Sequence, residues 1–563
     1  MRILLVLATL LLAMWTNNSH SSALLNQIPS KAQAIQSQQI SALLGPVFLL
    51  LLNNEATTDV TENNAARFLA QATFGPTSDA ILNLVNLNDY DSWLEAQAAL
   101  PASYHLAKVK AAAPDGFDVQ QARYPVWWEA VMHADDQLRQ RVAFALSEIL
   151  VVSDKPDALI NHGNMLAAYY DILVLHAFGN FRDLLEAVTI SPAMGIYLSM
   201  LGNETSQNRA DENYAREVMQ LFTIGLVQLN QDGTQVLDND GKPIPTYTQS
   251  DIANLAKVFT GWSWDRPEYD PGPIDGWWPD LGRMEIPMKA FEAHHDPVSK
   301  TFLSTTLPAG QTSIQDLDAA MDTLFNHPNV GPFIGRRLIQ RLVSSNPSSG
   351  YISRVAAAFN DNGFGVRGDL KAVVKTILLD PEARSDSMAE SPNFGKLREP
   401  ILRFSHLWRA FRVQDPILMN HYDNLMSQHS ALTAKSVFNF FSPSYSPPGP
   451  LLDSGLVAPE FQINSEAWIT SINNLLITIV QSDGFYHFFE TRLNLDTELA
   501  LLDAPQQLLD HLDLLLMSGS MSSGLKQILI DYISQNRTVI TDERIVRDVI
   551  SVIITSAEYS VQR

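Results

Sequence analysis

Apolar residues recur at three- and four-residue steps along most of this chain, the spacing of one face of an α-helix. Ala66, Leu69, Ala70 and Phe74 mark a first helical face from Asn63, stopped by Gly75-Pro76. Leu138, Val142, Leu146, Ile149 and Leu150 mark a second, amphipathic one. The same spacing predicts helices over about 161–178, 181–189, 193–201, 211–226 and 249–261. It predicts more over 331–344, 351–361, 369–379, 396–412, 460–480, 504–517, 524–535 and 543–557. Strand signals are few. The best is Val227 to Tyr247, where Asp232-Gly233 and Asp240-Gly241 punctuate short β-prone runs as a hairpin would. No fixed-period repeat appears. The expected fold is all-α: one large multi-helix body with a small β-hairpin insertion and long ordered loops.

Two irregular stretches interrupt the helices, Trp262 to about Lys300 and Phe440 to Pro459. Loops of that length are uncommon in compact chains and often serve as lids or binding elements. The second carries Ser442-Pro443-Ser444-Tyr445-Ser446-Pro447-Pro448-Gly449-Pro450, which favours a stiff extended path. At the N-terminus, Arg2 precedes the apolar run Ile3 to Trp15, and Ser21-Ser22-Ala23 offers small residues for cleavage. That order reads as a secretory signal peptide, and the run is too short to span a bilayer comfortably. The predicted organisation is a signal peptide over 1–23, a flexible leader over 24–62 and a helical domain over 63–563. The expected address is outside the cytoplasm, periplasmic or extracellular, with no stable membrane span after processing.

Composition narrows the chemistry. The formal charge is −23 over 563 residues, and no basic stripe is present to overcome it, so nucleic acid is not an expected partner. The absence of cysteine removes disulfides, thiolate nucleophiles, iron–sulfur clusters and cysteine-based zinc sites. Any metal must use His, carboxylate or carbonyl donors. The sequence does not specify a cofactor or a metal.

Several motifs fail in context. Gly363-Phe364-Gly365-Val366-Arg367-Gly368 spells a dinucleotide fingerprint, but the residues before it, Val355 to Asn360, are helical. Asn362-Gly363 reads instead as a helix stop and Asp369 as the next N-cap. Asp238-Asn239-Asp240-Gly241 lacks the other carboxylates of a calcium loop and reads as a turn. There is no G-x-S-x-G elbow, H-E-x-x-H pair or phosphate-binding loop.

One constellation survives. In Asp211-Glu212-Asn213-Tyr214-Ala215-Arg216-Glu217, a helix places Glu212 beside Arg216, four residues on, as an ion pair. Tyr214, Val218, Leu221, Phe222 and Gly225 fall on the core side, with Asn213, Glu217 and Gln220 as a polar flank. Downstream, His295, Asp296 and Lys300 gather a base, a carboxylate and a cation in one loop. If that loop faced Glu212 or Glu217, the set could transfer protons or hold a metal. The bland alternatives are a solvated charged face and a turn oriented by Asp296. Trp262, Trp264, Trp277 and Trp278 lie between these pieces, four of the ten tryptophans. They could stack on a ligand, although pinning the loop to the body is the commoner use of such rings.

These residues resemble a bacterial family known as DUF 1800, a domain of unknown function. The resemblance rests on Ala65-Ala66-Arg67-Phe68-Leu69 with Ala72-Thr73-Phe74-Gly75, and on Glu212-Asn213-Tyr214-Ala215-Arg216-Glu217. Tyr247-Thr248-Gln249, Phe259-Thr260-Gly261-Trp262, His295-Asp296 with Lys300, and Gly363 to Leu370 also match. It runs from about Asn63 to near the C-terminus. It departs at Phe222, where many members carry His. The resemblance implies an exported bacterial protein and, as a possible partner, a sulfatase-like exported protein of the DUF 1501 family. Two functions follow as expectations. One is a binding or assembly protein of the cell envelope, acting with that partner. The other is a hydrolase-type or metal-assisted enzyme, with Glu217 or His295 as base and Arg216 holding an anionic or carbonyl group.

Overall fold

Helix starts are set locally by side chains that satisfy the first free amides. Thr61 caps the helix Glu62–Ala72 (α1) by accepting from the Asn64 amide. Thr248 and Thr312 form capping boxes with Asp251 and Gln315 at the starts of Gln249–Val258 and Ser313–Phe325. The computed structural model describes residues 60–113, 119–205, 210–270, 284–413, 429–482 and 492–563. The expected signal peptide and all but the last three residues of the expected leader lie outside them.

The described body is all-α with small two-stranded pairings. After α1 come Gln137–Ser147 (α2), Gly163–His176 (α3) and the five-residue Asn213–Glu217 (α4). Gln249–Val258 (α5), Ser313–Phe325 (α6), Val330–Leu342 (α7), Ser349–Asn360 (α8) and Leu370–Leu379 (α9) follow. Pro400–Ala410 (α10), Glu466–Gln481 (α11), Pro505–Met517 (α12) and Asp542–Thr555 (α13) complete the main set, with shorter helices between. α3 buries residues all around its axis, including Leu166, Tyr169, Tyr170 and Leu173, and packs against α2. α7, α8 and α9 pack in succession, and α11 lies on α13. One continuous hydrophobic core runs through these layers from Val60 to Tyr559. Each fully buried Leu, Ile or Phe in it contributes about 1.5–3 kcal/mol. Val60 to Arg563 makes one compact unit. Among the described residues no helix is long and apolar enough to cross a membrane.

Three departures from the periodicity shape the site. First, α6 carries the apolar stripe Leu317, Ala320, Met321 and Leu324, but two polar residues, Ser313 and Asp316, are buried on the same helix. The expectation of a continuous helix over 211–226 also fails. α4 ends at Glu217 and the chain widens into a π-helix, Val218–Thr223, turning at Gly225 (φ 71°). Lastly, Lys396 and Leu397 are not helical. They pair antiparallel with Gln562 and Val561, and helix α10 starts only at Pro400, which suits the first turn.

The expected hairpin at 227–247 is a three-run ribbon. Amide bonds from Gln228 to Ile244, Val236 to Gln228 and Ile244 to Val236 join it. Its pairings are isolated bridges, because Gln228, Val236 and Ile244 bond in a ring in which each run donates to one neighbour and accepts from the other. Two further antiparallel pairs, Trp262–Ser263 with Lys289–Ala290 and Lys300–Phe302 with Thr305–Leu307, order the stretch after α5.

Candidate functional site

The Glu212–Arg216 pair is formed. Arg216 Nη2 lies 3.1 Å from Glu212 Oε2, and Gln249 Nε2 at the start of α5 donates to the same oxygen at 2.8 Å. The turn before α4 is held by Asn203, whose Oδ1 accepts from the Asp211 amide and whose Nδ2 donates to the Asp211 carbonyl. An open cleft of about 890 Å³ lies here, lined by Ser199, Asn203, Asp211, Glu212, Asn213 and Arg216. It is polar, with acidic groups outnumbering the one guanidinium in that lining.

Glu217 does not line this cleft. It is 6% exposed, and its Oε2 has no hydrogen-bond partner. Burial raises its carboxyl above the ordinary range, against the opposing charge of Arg216. Nearby, burial and then the Glu217 charge raise the Tyr247 phenol, which donates to Gln220 Oε1 at 3.3 Å. Glu217 is the last residue of α4, three positions after the buried Tyr214, so it falls beside the core face and not on the polar flank expected of it. The π-helix begins only after it, at Val218.

His295, Asp296 and Lys300 come together, but as a closed network on Asp316 of α6. His295 Nε2 is 3.0 Å from Asp316 Oδ2, and Lys300 Nζ is 2.6 Å from the same oxygen. His295 Nδ1 meets the Thr260 carbonyl at 3.0 Å. Both ring nitrogens therefore face oxygen acceptors, and the side chain is 2% exposed, so no nitrogen is left to take a proton from a substrate. Asp296 orients its own turn, accepting from the Val298 amide and from Thr205 Oγ1. Burial alone would raise the Asp316 carboxyl, but hydrogen bonds from His295 and Lys300 leave it below the ordinary value. The network and α4 meet the same turn. Gly261 donates to the Asn203 carbonyl, and its φ of 80° lets the His295 backbone approach to where a Cβ would stand. The two groups share a neighbour without sharing a centre.

Trp262 and Trp264 are buried in the core, 5% and 0% exposed, rather than displayed for a ligand. Trp277 and Trp278 lie outside the described residues. Phe222 is fully buried and packs in the core.

Sequence reasoning missed a second ionisable cluster. Arg141 of α2, Glu148 just past it, Arg341 of α7, Lys396, Glu399 and His429 meet in the interior with Glu460. Lys396 Nζ stands 2.9 Å from Glu399 Oε1 and 3.1 Å from Glu460 Oε1. Arg341 Nε is 3.6 Å from Glu148 Oε2. His429 Nε2 is 3.3 Å from Glu399 Oε2 and 3.6 Å from Glu148 Oε1. Burial lowers the His429 imidazole, but these two carboxylates together hold it above its ordinary value. Burial likewise raises Glu399, yet Lys396 and His429 hold it well below. The backbone that presents Lys396 depends on Gly395, whose φ is 102° and whose missing Cβ would overlap the Gln562 carbonyl. The one sequence signal was Arg141, a cation beside the apolar stripe Leu138, Val142 and Leu146.

A sequence profile described as "Protein of unknown function (DUF1800)" matches residues 67–561. The chain belongs to the DUF1800 family. Both clusters and the cleft fall inside the matched DUF1800 span. No curated protein and no solved structure matches the chain.

Proposed function

We propose that this DUF1800 protein is an exported binding protein of the cell envelope, receiving a polar partner surface in the cleft beside Glu212 and Arg216. The partner we favour is a sulfatase-like exported protein, on the family resemblance. One observation carries the binding reading over an enzymatic one. His295, the best candidate base, is sealed from solvent with both ring nitrogens engaged. The cleft by contrast is open, polar and lined by hydrogen-bonding groups suited to recognition. The test is calorimetric titration of the mature chain with the purified sulfatase-like protein. Glu212→Gln and Arg216→Gln should weaken binding at least about tenfold, while His295→Gln should leave affinity per folded molecule close to wild type. Equal affinities across all four proteins, or no association at all, would remove the proposal.

A specific observation favours a second reading. Glu217 is a buried carboxylate with an unpartnered oxygen at a π-helix junction, a geometry found at catalytic bases. An enzyme with Glu217 as base should turn over members of a panel of chromogenic esters, sulfates and phosphates. Glu217→Gln should abolish that turnover without loss of helical signal. Failure of the panel with folded wild-type protein counts against it.

A further inference from the structure

The interior cluster around His429 has a feature that ion pairing does not explain. Glu148 follows α2, Glu399 precedes α10 and His429 precedes the turn at 430–433, so three distant segments deliver three side chains to one point. Their donor atoms lie within 4.8 Å of one another. Both oxygens of Glu148, Oε2 of Glu399 and Nε2 of His429 are buried without a hydrogen-bond partner. Glu399 occupies an N-cap position, yet its carboxylate does not cap the helix and points to the cluster instead.

The distances discriminate between two explanations. A charged N–H···O contact closes to about 2.7–2.9 Å. Two ligand atoms held about 2.1 Å from one tetrahedral ion stand about 3.4 Å apart. The separations from His429 Nε2 are 3.3 and 3.6 Å, in the second range. The carboxylates are also divided as metal ligands usually are. Lys396 takes Oε1 of Glu399, leaving Oε2 inward, and Arg341 faces Oε2 of Glu148, leaving Oε1 inward. The other His429 nitrogen, Nδ1, has the Ile401 amide at 3.5 Å, too long a contact to fix the tautomer.

We propose that Glu148, Glu399 and His429 bind a divalent transition-metal ion of the Zn²⁺ class, clamping α2 and α10 to the segment at His429. One imidazole and two carboxylates suit such an ion, and they are a donor set open to a chain without cysteine. This site is independent of the cleft beside Glu212.

The test uses the full mature chain, stripped with chelator and then given Zn²⁺ or Co²⁺ alone. After dialysis, wild type should retain about one metal per chain by elemental analysis. Its Co²⁺ form should show the strong visible absorption of a four- or five-coordinate site. His429→Gln and Glu148→Gln should retain less than about a tenth of that metal, whereas Glu212→Gln should match wild type. Wild-type protein that holds no stoichiometric metal and gives no such spectrum overturns the proposal. So does a folded His429→Gln that still holds one equivalent. If the His429 variant does not fold, the wild-type Co²⁺ spectrum and the folded Glu148→Gln decide.

Discussion

Replacing Lys300 by Met asks whether the His295 network supports the fold or performs chemistry. Lys300 is 1% exposed and Asp316 0%, and their 2.6 Å contact lies in the interior. Nζ also donates to the carbonyls of Asp296 and Val298. Met fills a similar volume but removes the charge, leaving Asp316 with His295 as its remaining partner. Breaking one side of a buried pair costs about 3–5 kcal/mol, because the surviving charge is left uncompensated. Asp316→Asn should cost a similar amount, since it strands Lys300. The double variant removes both charges, so its loss should fall short of the summed single losses by up to about 3 kcal/mol. Urea unfolding followed by far-ultraviolet circular dichroism and tryptophan fluorescence measures all four proteins. A Lys300→Met protein within about 0.5 kcal/mol of wild type, or strictly additive losses, would refute the buried-pair reasoning. Loss of partner binding at unchanged stability would reassign the network to function.

Other expectations follow from the same physics. His105 and His406 are buried, and burial lowers them to about 4 and about 3. Folding therefore gains from their neutral forms above 6.5 and loses that gain as pH falls, by about 2 kcal/mol each at pH 5. His406→Gln should remove close to one proton of the pH slope of the urea midpoint between pH 6.5 and 4. Glu217 runs the other way, since burial raises its carboxyl. Its protonated form favours folding below 4.5, and that gain disappears as pH rises through the elevated folded value. Glu217→Gln should thus be more stable than wild type at pH 8, with the difference vanishing below pH 4.5, as read from unfolding midpoints. Gly395→Ala should destabilise by at least about 2 kcal/mol, because φ is positive and a Cβ meets the C-terminal strand. Arg216→Gln should change stability by less than about 1 kcal/mol, since its ion pair is partly solvated.

What the sequence determined alone was whatever short-range geometry dictates. The apolar spacing located α2, α3 and the helices from α7 to α9, because a helical face is written within a few residues. The Glu212–Arg216 pair was legible for the same reason, being one helical turn apart. The failed dinucleotide motif resolved as predicted into a helix stop and an Asp369 cap, with Gly363, Gly365 and Gly368 at positive φ. Tertiary structure decided the rest. The π turn after Glu217 leaves no periodic mark, since one widened turn looks like an ordinary helix in sequence. Asp316 carried no mark in the sequence, because only the fold brings Lys300 and His295 onto it. The centre of Glu148, Lys396, Glu399 and His429 is assembled from segments up to 281 residues apart, read as the span from 148 to 429. Spacing cannot encode such a meeting, because it depends on how whole helices pack, and burial is what turns ordinary charges into partners that need one another.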